Sequence, residues 1–316
     1  MADTRAMDET SAPELEQMEG MRRVPGGVFR MGSDSHYPEE APSRLVTVEP
    51  FLMDETPVTN AMFRRFVEAT GYVTVAERTP SQRDYPDADP EMLKPGSAVF
   101  TPTKGPVDLR DHYLWWRYIF GACWRAPAGP GSSIEWIEDH PVVHVALEDA
   151  LAYANWAGKA LPTEAEWEFA ARGGLEAATY AWGESLNPDG RFMANYWQGR
   201  FPWENLGLDG YARTSPVGAF PPNPYGLYDL IGNVWEWTCD VFRAHAEAAA
   251  HACCAPAEPA APGGRLHVIK GGSHLCAENY CSRYRPAARH AEPVDSSTSH
   301  LGFRCVIRAA GSGGRD

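Results

Sequence analysis

LPTEAEWEFAARGG, residues 161–174, carries its own start and stop signals. Thr163 and Glu166 stand three apart as a capping box, and Gly173 supplies a left-handed stop. This predicts one short helix between them. Just upstream, HPVVHVAL (140–147) predicts a strand, and EDALAYANWAGK (148–159) an amphipathic helix closed at Gly158. Beyond Gly174, about a hundred residues lack helical periodicity and are rich in Gly, Pro, Asn and Trp. Two short helices amid long ordered loops point to an α+β fold with little regular structure.

The flanks agree. VPGGVFRMGSD (24–34) predicts a strand broken by a Gly pair, and RLVTVEPFLMD (44–54) alternates as strands do. Thr59 or Asn60 caps a short helix through AMFRRFVEAT, which Gly71 stops. Residues 79–110 predict a long loop, bounded by the aromatic run HYLWWRYIF (112–120). RLHVIKGGS (265–273) and LGFRCVIR (301–308) predict strands around a polar stretch. Residues 1–20 predict a mobile acidic arm, 243–264 a variable Ala/Pro-rich loop and 311–316 a flexible tail. No repeat or linker divides the chain, so a single domain over 21–310 is expected.

Composition narrows the function. The 316 residues hold 28 Lys+Arg against 42 Asp+Glu, a formal charge of -14, which argues against nucleic acid as a partner. No apolar run approaches the roughly 20 residues that span a bilayer, and the acidic start is no secretory signal. Seven cysteines, an odd number, predict reduced thiols and a cytoplasmic location. Gly 29 and Pro 27 forecast many turns, and 11 Trp point to rigid loops packed on indole rings.

Chemistry concentrates in GGSHLCAENYCSRYRPAAR, 271–289, where Cys276 and Cys281 lie five apart. Two thiolates suit Cu(I) or a redox disulfide, whereas structural zinc takes four ligands. Two buried small hydrophobes are an equal reading of the spacing alone. Arg283, Arg285 and Arg289 are candidates to lower the thiol pKa values. A zinc cluster of His245, His251, Cys253 and Cys254 has no zinc-like spacing. A cysteine protease using His274, His290 or His300 lacks a marked orienting group. Cys123 and Cys239 are expected as core fillers.

In VPGGVFRMGS, PVTN, HPVVHV, WAGKALPTEAEWEFAARGG, ANYWQGRFP, PYGLYDLIGNVWEW, KGGSHLCAENYCSRYRPAAR and HLGFRC, the chain resembles the formylglycine-generating enzymes, or sulfatase-modifying factors. The likeness runs from Val24 to Cys305. KGGSHLCA and the ACCAP loop are most similar to shorter actinobacterial members. The resemblance implies a sulfatase-modifying-factor, C-type-lectin-like fold. It further implies oxidation by O2, with a thiol reductant, of the cysteine in an unfolded sulfatase Cys-x-Pro-x-Arg segment to Cα-formylglycine. Cys276 and Cys281 would hold Cu(I), the substrate thiolate would join them, and Ser273 and Ser297 match pocket serines. The match also implies two calcium sites, one at Asp229, Gly232, Val234 and Glu236 and another at Asn195, Tyr196, Asp209 and Tyr211. The protein is expected to act as a monomer.

Some positions depart from the family. Where longer members place disulfide cysteines, this chain has Ala154, Ala171 and Pro286, which leaves Cys305 as an expected reduced buried thiol. His300 stands where many members have Asn, and AEPVD (291–295) replaces NTPD. Two rivals remain. A non-catalytic lectin-like binding module has no need of both cysteines. An ergothioneine-type iron C–S bond-forming oxygenase normally adds a His-rich helical domain, and too little chain precedes Val24 to encode one.

Overall fold

The computed structural model describes residues 18–245 and 265–309. The acidic arm up to residue 17, the 246–264 part of the variable loop with His251, Cys253 and Cys254, and the tail from residue 310 lie outside the described residues.

The element order begins with β1 (Met21–Val24), β2 (Gly27–Met31), β3 (Arg44–Val48), β4 (Phe51–Asp54) and α1 (Asn60–Thr70). It continues with β5 (Gly96–Phe100), β6 (Trp116–Phe120), α2 (Leu147–Trp156) and α3 (Glu164–Arg172). β7 (Trp235–Val241), β8 (Leu266–Lys270), β9 (Arg289–Pro293), β10 (Leu301–Gly302) and β11 (Val306–Arg308) complete it. Small sheets dominate. The order β1-β4-β11 joins the two ends of the chain, β10-β7-β8-β9 forms the largest sheet, and β2-β3 and β5-β6 are two-stranded.

Local chemistry sets the helices. In α3 the Thr163 hydroxyl accepts from the Glu166 N–H at 3.0 Å and Glu166 returns the bond to the Thr163 N–H at 2.7 Å, before Gly173 turns left-handed. Thr59 caps α1 and Gly71 ends it at φ +68. The buried face of α1 sets Phe63 against Trp124, Tyr153 and Phe303, at the centre of one continuous apolar core. Glu168 on α3 is also fully buried, and accepts from Lys270, Arg172 and the Gly32 N–H at 2.7–2.9 Å. A buried carboxylate requires such partners. They tie α3 to β8 and to the N-terminal loop.

Three expectations need correction. HPVVHVAL forms no strand: the Val142 N–H donates to Val58 O and the His144 N–H to Thr298 O, and His144 itself sits at φ +61, which breaks the extended run. The 79–110 loop is interrupted by β5, whose apolar GSAVF sequence pairs residue for residue with β6. LGFRCVIR splits into β10 and β11 because Phe303–Cys305 crosses between sheets, bonding through Phe303 O to Val58 and Cys305 O to Asp54. Besides β5, three strands went unforeseen: β6 in the aromatic run, β7 in WEWTCDV and β9 from the end of the Arg-rich run. Among the described residues no helix is long and apolar enough to cross a membrane.

Candidate active site

β8 delivers the chain into Gly271 and Gly272, both with positive φ. A Cβ at Gly271 would lie 2.6 Å from Leu230 O, and one at Gly272 2.8 Å from Arg283 O, so only glycine fits this approach. The turn that follows is closed by Cys276 N–H to Ser273 O at 2.9 Å, and the Ser273 hydroxyl accepts from Leu275 N–H. One further turn, Cys281 N–H to Ala277 O at 2.8 Å, brings the second cysteine back over the first. The sulfurs end 3.3 Å apart as free thiols.

Their surroundings differ. Cys276 is buried, and the Ser273 N–H points at its sulfur at 3.4 Å. Burial and the neighbouring sulfur push its thiol pKa well up. Cys281 is pulled down by the hydrogen bond from Cys276 and then by Arg283, whose Nη1 lies 3.8 Å from Sγ. The two sulfurs share one hydrogen bond, and Cys281, the one beside the guanidinium, is the more acidic of the two.

Only Arg283 among the three flanking arginines acts on the thiols. Arg285 forms a buried two-pronged pair with Glu40 at 2.5 and 2.9 Å, and Arg289 pairs with Glu164 at 2.7 Å. Both are structural, which corrects the sequence expectation. Arg283 also bonds Glu39 at 2.5 Å and lies 3.9 Å over the Tyr37 ring, and the Tyr37 hydroxyl accepts from the Ser282 N–H. Sequence reasoning missed Tyr37, Glu39 and Glu40, since no local pattern signals partners some 245 residues away.

An aromatic wall flanks the pair. Tyr280 stacks on Phe201 at 4.6 Å and meets Trp115 edge-on, while the Trp197 N–H donates to Cys276 O. Ser273 belongs to the cysteine turn. Ser297 instead joins Ser97, whose hydroxyl lies 2.9 Å from the Ser297 hydroxyl and 2.7 Å from His144 Nδ1.

Histidines do not serve the thiols as bases. His274 Nδ1 contacts Asn233 O, and His300 Nδ1 the Thr298 hydroxyl. Burial pushes His274 down to about 4. His245 packs against Pro42 O near Glu164. Among the described residues no three His, Cys, Asp or Glu side chains gather at one point. The cysteines stand as a two-thiolate donor set, which fits a soft monovalent metal. Cys123 and Cys305 are buried thiols, and Cys239 is half-buried against the core.

The two calcium candidates part company. Glu236 Oε2 accepts from Arg304 Nε and Trp167 Nε1, and Oε1 from Arg304 Nη2, each at 2.8 Å. With a guanidinium already on both oxygens, this carboxylate does not fit a divalent cation. Asp229 Oδ2 accepts from the Gly218 N–H, so both carboxylates of the first set are engaged within the protein. In the second set, Tyr196 O and Asp209 Oδ2 converge on the Gln198 side-chain amide, Asp209 Oδ1 accepts from the Tyr211 N–H, and Asn195 bonds Arg213 O. Two oxygens of the four residues, the Tyr196 carbonyl and the Asp209 carboxylate, thus meet at one polar point where no guanidinium competes, and such a mixed pair suits a hard cation.

The family described as the sulfatase-modifying factor enzyme 1-like domain matches residues 7–309. The formylglycine-generating enzyme of Mycobacterium tuberculosis is 57% identical over 287 residues, covering 90% of this chain and 96% of its own. A Bos taurus relative named inactive C-alpha-formylglycine-generating enzyme 2 is 40% identical, over 93% of this chain and 89% of its own. The solved structure of PvdO from Pseudomonas aeruginosa shares the fold, with TM-score 0.62 and 24% identity, covering 91% of this chain and 94% of that one.

Proposed function

The chain belongs to the sulfatase-modifying factor enzyme 1-like family, and on that premise we propose that it is an oxidase converting a sulfatase cysteine to Cα-formylglycine. Membership alone does not decide the activity, because the family also holds a relative named as inactive. The carrying observation is the pair of free sulfurs 3.3 Å apart, one of them 3.8 Å from the Arg283 guanidinium.

Taking CH2SH to CHO removes two electrons from the substrate carbon and releases the sulfur as hydrogen sulfide. O2 takes four electrons on its way to water, so two thiols of a reductant supply the other two and leave as a disulfide. No arrangement of Ser, His and carboxylate provides this oxidising power. Cu(I), held by Cys276 and Cys281, supplies the means of using O2. The protein's own residues hold and orient: Arg283 sets its positive charge 3.8 Å from Cys281 Sγ, the Ser273 N–H orients Cys276, and Tyr280 with Trp115 and Phe201 walls the site with apolar surface. The substrate is an extended Cys-x-Pro-x-Arg segment of an unfolded sulfatase, whose arginine suits a chain of charge -14.

Calcium is proposed at the Asn195–Tyr211 set as a structural ion. The thiols of Cys123, Cys276, Cys281 and Cys305, among the described residues, support a reducing, cytoplasmic setting. Action as a monomer is part of the proposal.

The test is a copper-loaded incubation with a Cys-Thr-Pro-Ser-Arg peptide, air and a thiol reductant, read by mass and by a hydrazine probe for aldehyde. Conversion is expected, and it should stop without O2, with a Cu(I) chelator, or with a Cys→Ser peptide. Copper bound at one per chain with neither this peptide nor longer sulfatase segments modified would favour the binding-module reading.

A further inference from the structure

The two cysteines are anchored differently, and the difference has consequences for metal binding. Cys276 is fixed by its own turn, through Ser273 and through the Trp197 N–H on its carbonyl. Cys281 heads a segment whose next residues are tied to a distant stretch, Tyr37–Glu40. The Ser282 N–H donates to the Tyr37 hydroxyl at 3.1 Å, Arg283 bonds Glu39 at 2.5 Å and covers the Tyr37 ring, and Arg285 is locked by buried Glu40. Of these three ties, only the Arg283 one ends on sulfur.

The Arg283 guanidinium is planar and has three directions of contact, and each is used differently here. Its face lies on Tyr37, Nη2 points to Glu39 and Nη1 to Cys281 Sγ, while Nε is buried without a partner. A charged fork held on two sides cannot rotate away from its third contact. We infer that Glu39 and Tyr37 form a positioning clamp that, through Arg283, fixes the Cys281 sulfur opposite Cys276 and so sets the Cu(I) affinity of the pair. Glu39 touches neither sulfur, so it is a positioning residue. The inference rests on the copper reading of the cysteine pair. Outer-shell partners of this kind typically change metal affinity roughly 10–100-fold when removed.

The experiment measures Cu(I) affinity of the reduced full-length protein against a competing Cu(I) chelator, at one pH, with melting curves recorded in parallel. Glu39→Gln, which keeps size and removes charge, should weaken binding about tenfold. Glu39→Asp should recover part of that loss. Arg283→Lys, which keeps the charge without the planar fork, should not restore affinity. Tyr37→Phe keeps the ring face and should fall between wild type and Glu39→Gln. Melting of Glu39→Gln should stay near wild type, because its carboxylate is about a quarter exposed and its partner a fifth. A purely structural role would instead shift melting and affinity together, without rescue by Asp. Equal affinity in wild type and Glu39→Gln overturns the clamp alone. A wild type that binds no Cu(I) overturns the copper reading, and the clamp with it.

Discussion

Replacing Glu236 by Gln isolates the buried junction that holds both ends of the chain beside the site. Arg304 donates to both Glu236 oxygens, and also to Asp54 O, at the end of β4, and to Tyr228 O. Trp167 of α3 adds a third N–H to the same carboxylate. Gln offers one oxygen and one NH2 to these three N–H groups. Placing the NH2 at the Oε1 position creates one N–H to N–H conflict, and placing it at Oε2 creates two. Either way Arg304 keeps its charge in a fully buried position and loses its counter-ion. Breaking one side of a buried pair costs roughly 3–5 kcal/mol. At about 2 °C per kcal/mol for a chain of this size, melting should fall by roughly 6–10 °C. Urea unfolding with unchanged m-value would locate the loss in the folded state. The cost should be the same with and without EGTA, since Glu236 serves Arg304 and not a cation. A Glu236→Gln protein within about 1 kcal/mol of wild type, or a deficit that disappears on chelation, would refute this reasoning.

Further outcomes follow from other parts of the structure. His144 is fully buried and held neutral at about 4, below the roughly 6.5 of an unfolded chain. Its contribution is thus fully present above about pH 6.5 and is lost as pH falls towards 4, on the order of 3 kcal/mol at the limit; unfolding free energy that stays flat from about pH 7 to 4.5 would contradict it. Gly272→Ala places a Cβ 2.8 Å from Arg283 O at φ +71, so stability should drop by more than ~1 kcal/mol and Cu(I) affinity should fall in the chelator competition. Calcium removal should lower the melting temperature of wild type, and Asp209→Asn should show no such response; identical shifts in both would exclude Asp209 as a ligand.

How much was legible in the sequence follows from the range of each interaction. The caps of α1 and α3 lie within three residues of their partners, so Thr59, Thr163, Gly71 and Gly173 announced the helices correctly. The spacing of Cys276 and Cys281 left their role open, and the family likeness of the surrounding segment singled them out; the two local turns at Ser273 and Ala277 that bring the sulfurs together gave no separate signal. HPVVHVAL misled because its apolar alternation imitates a strand, while its hydrogen bonds go to Val58 and Thr298 in separate loops. Glu236 was ambiguous in another way. An acidic residue in a Gly-rich loop looks the same whether it meets a cation or a guanidinium 68 residues away. Long-range charge pairing also hid Glu39, whose partner Arg283 is 244 residues on, and reassigned Arg285 and Arg289 from tuning thiols to holding the core.

The most direct measurement is aldehyde formation on a Cys-Thr-Pro-Ser-Arg peptide by wild type, Cys276→Ala and Cys281→Ala at equal folded concentration, each supplied with copper, O2 and a thiol reductant. The two-thiolate account predicts steady product from wild type and none above background from either variant, because one remaining sulfur cannot complete the donor pair. Product formed at a comparable rate by either single variant would contradict the assignment of the oxidation to Cys276 and Cys281.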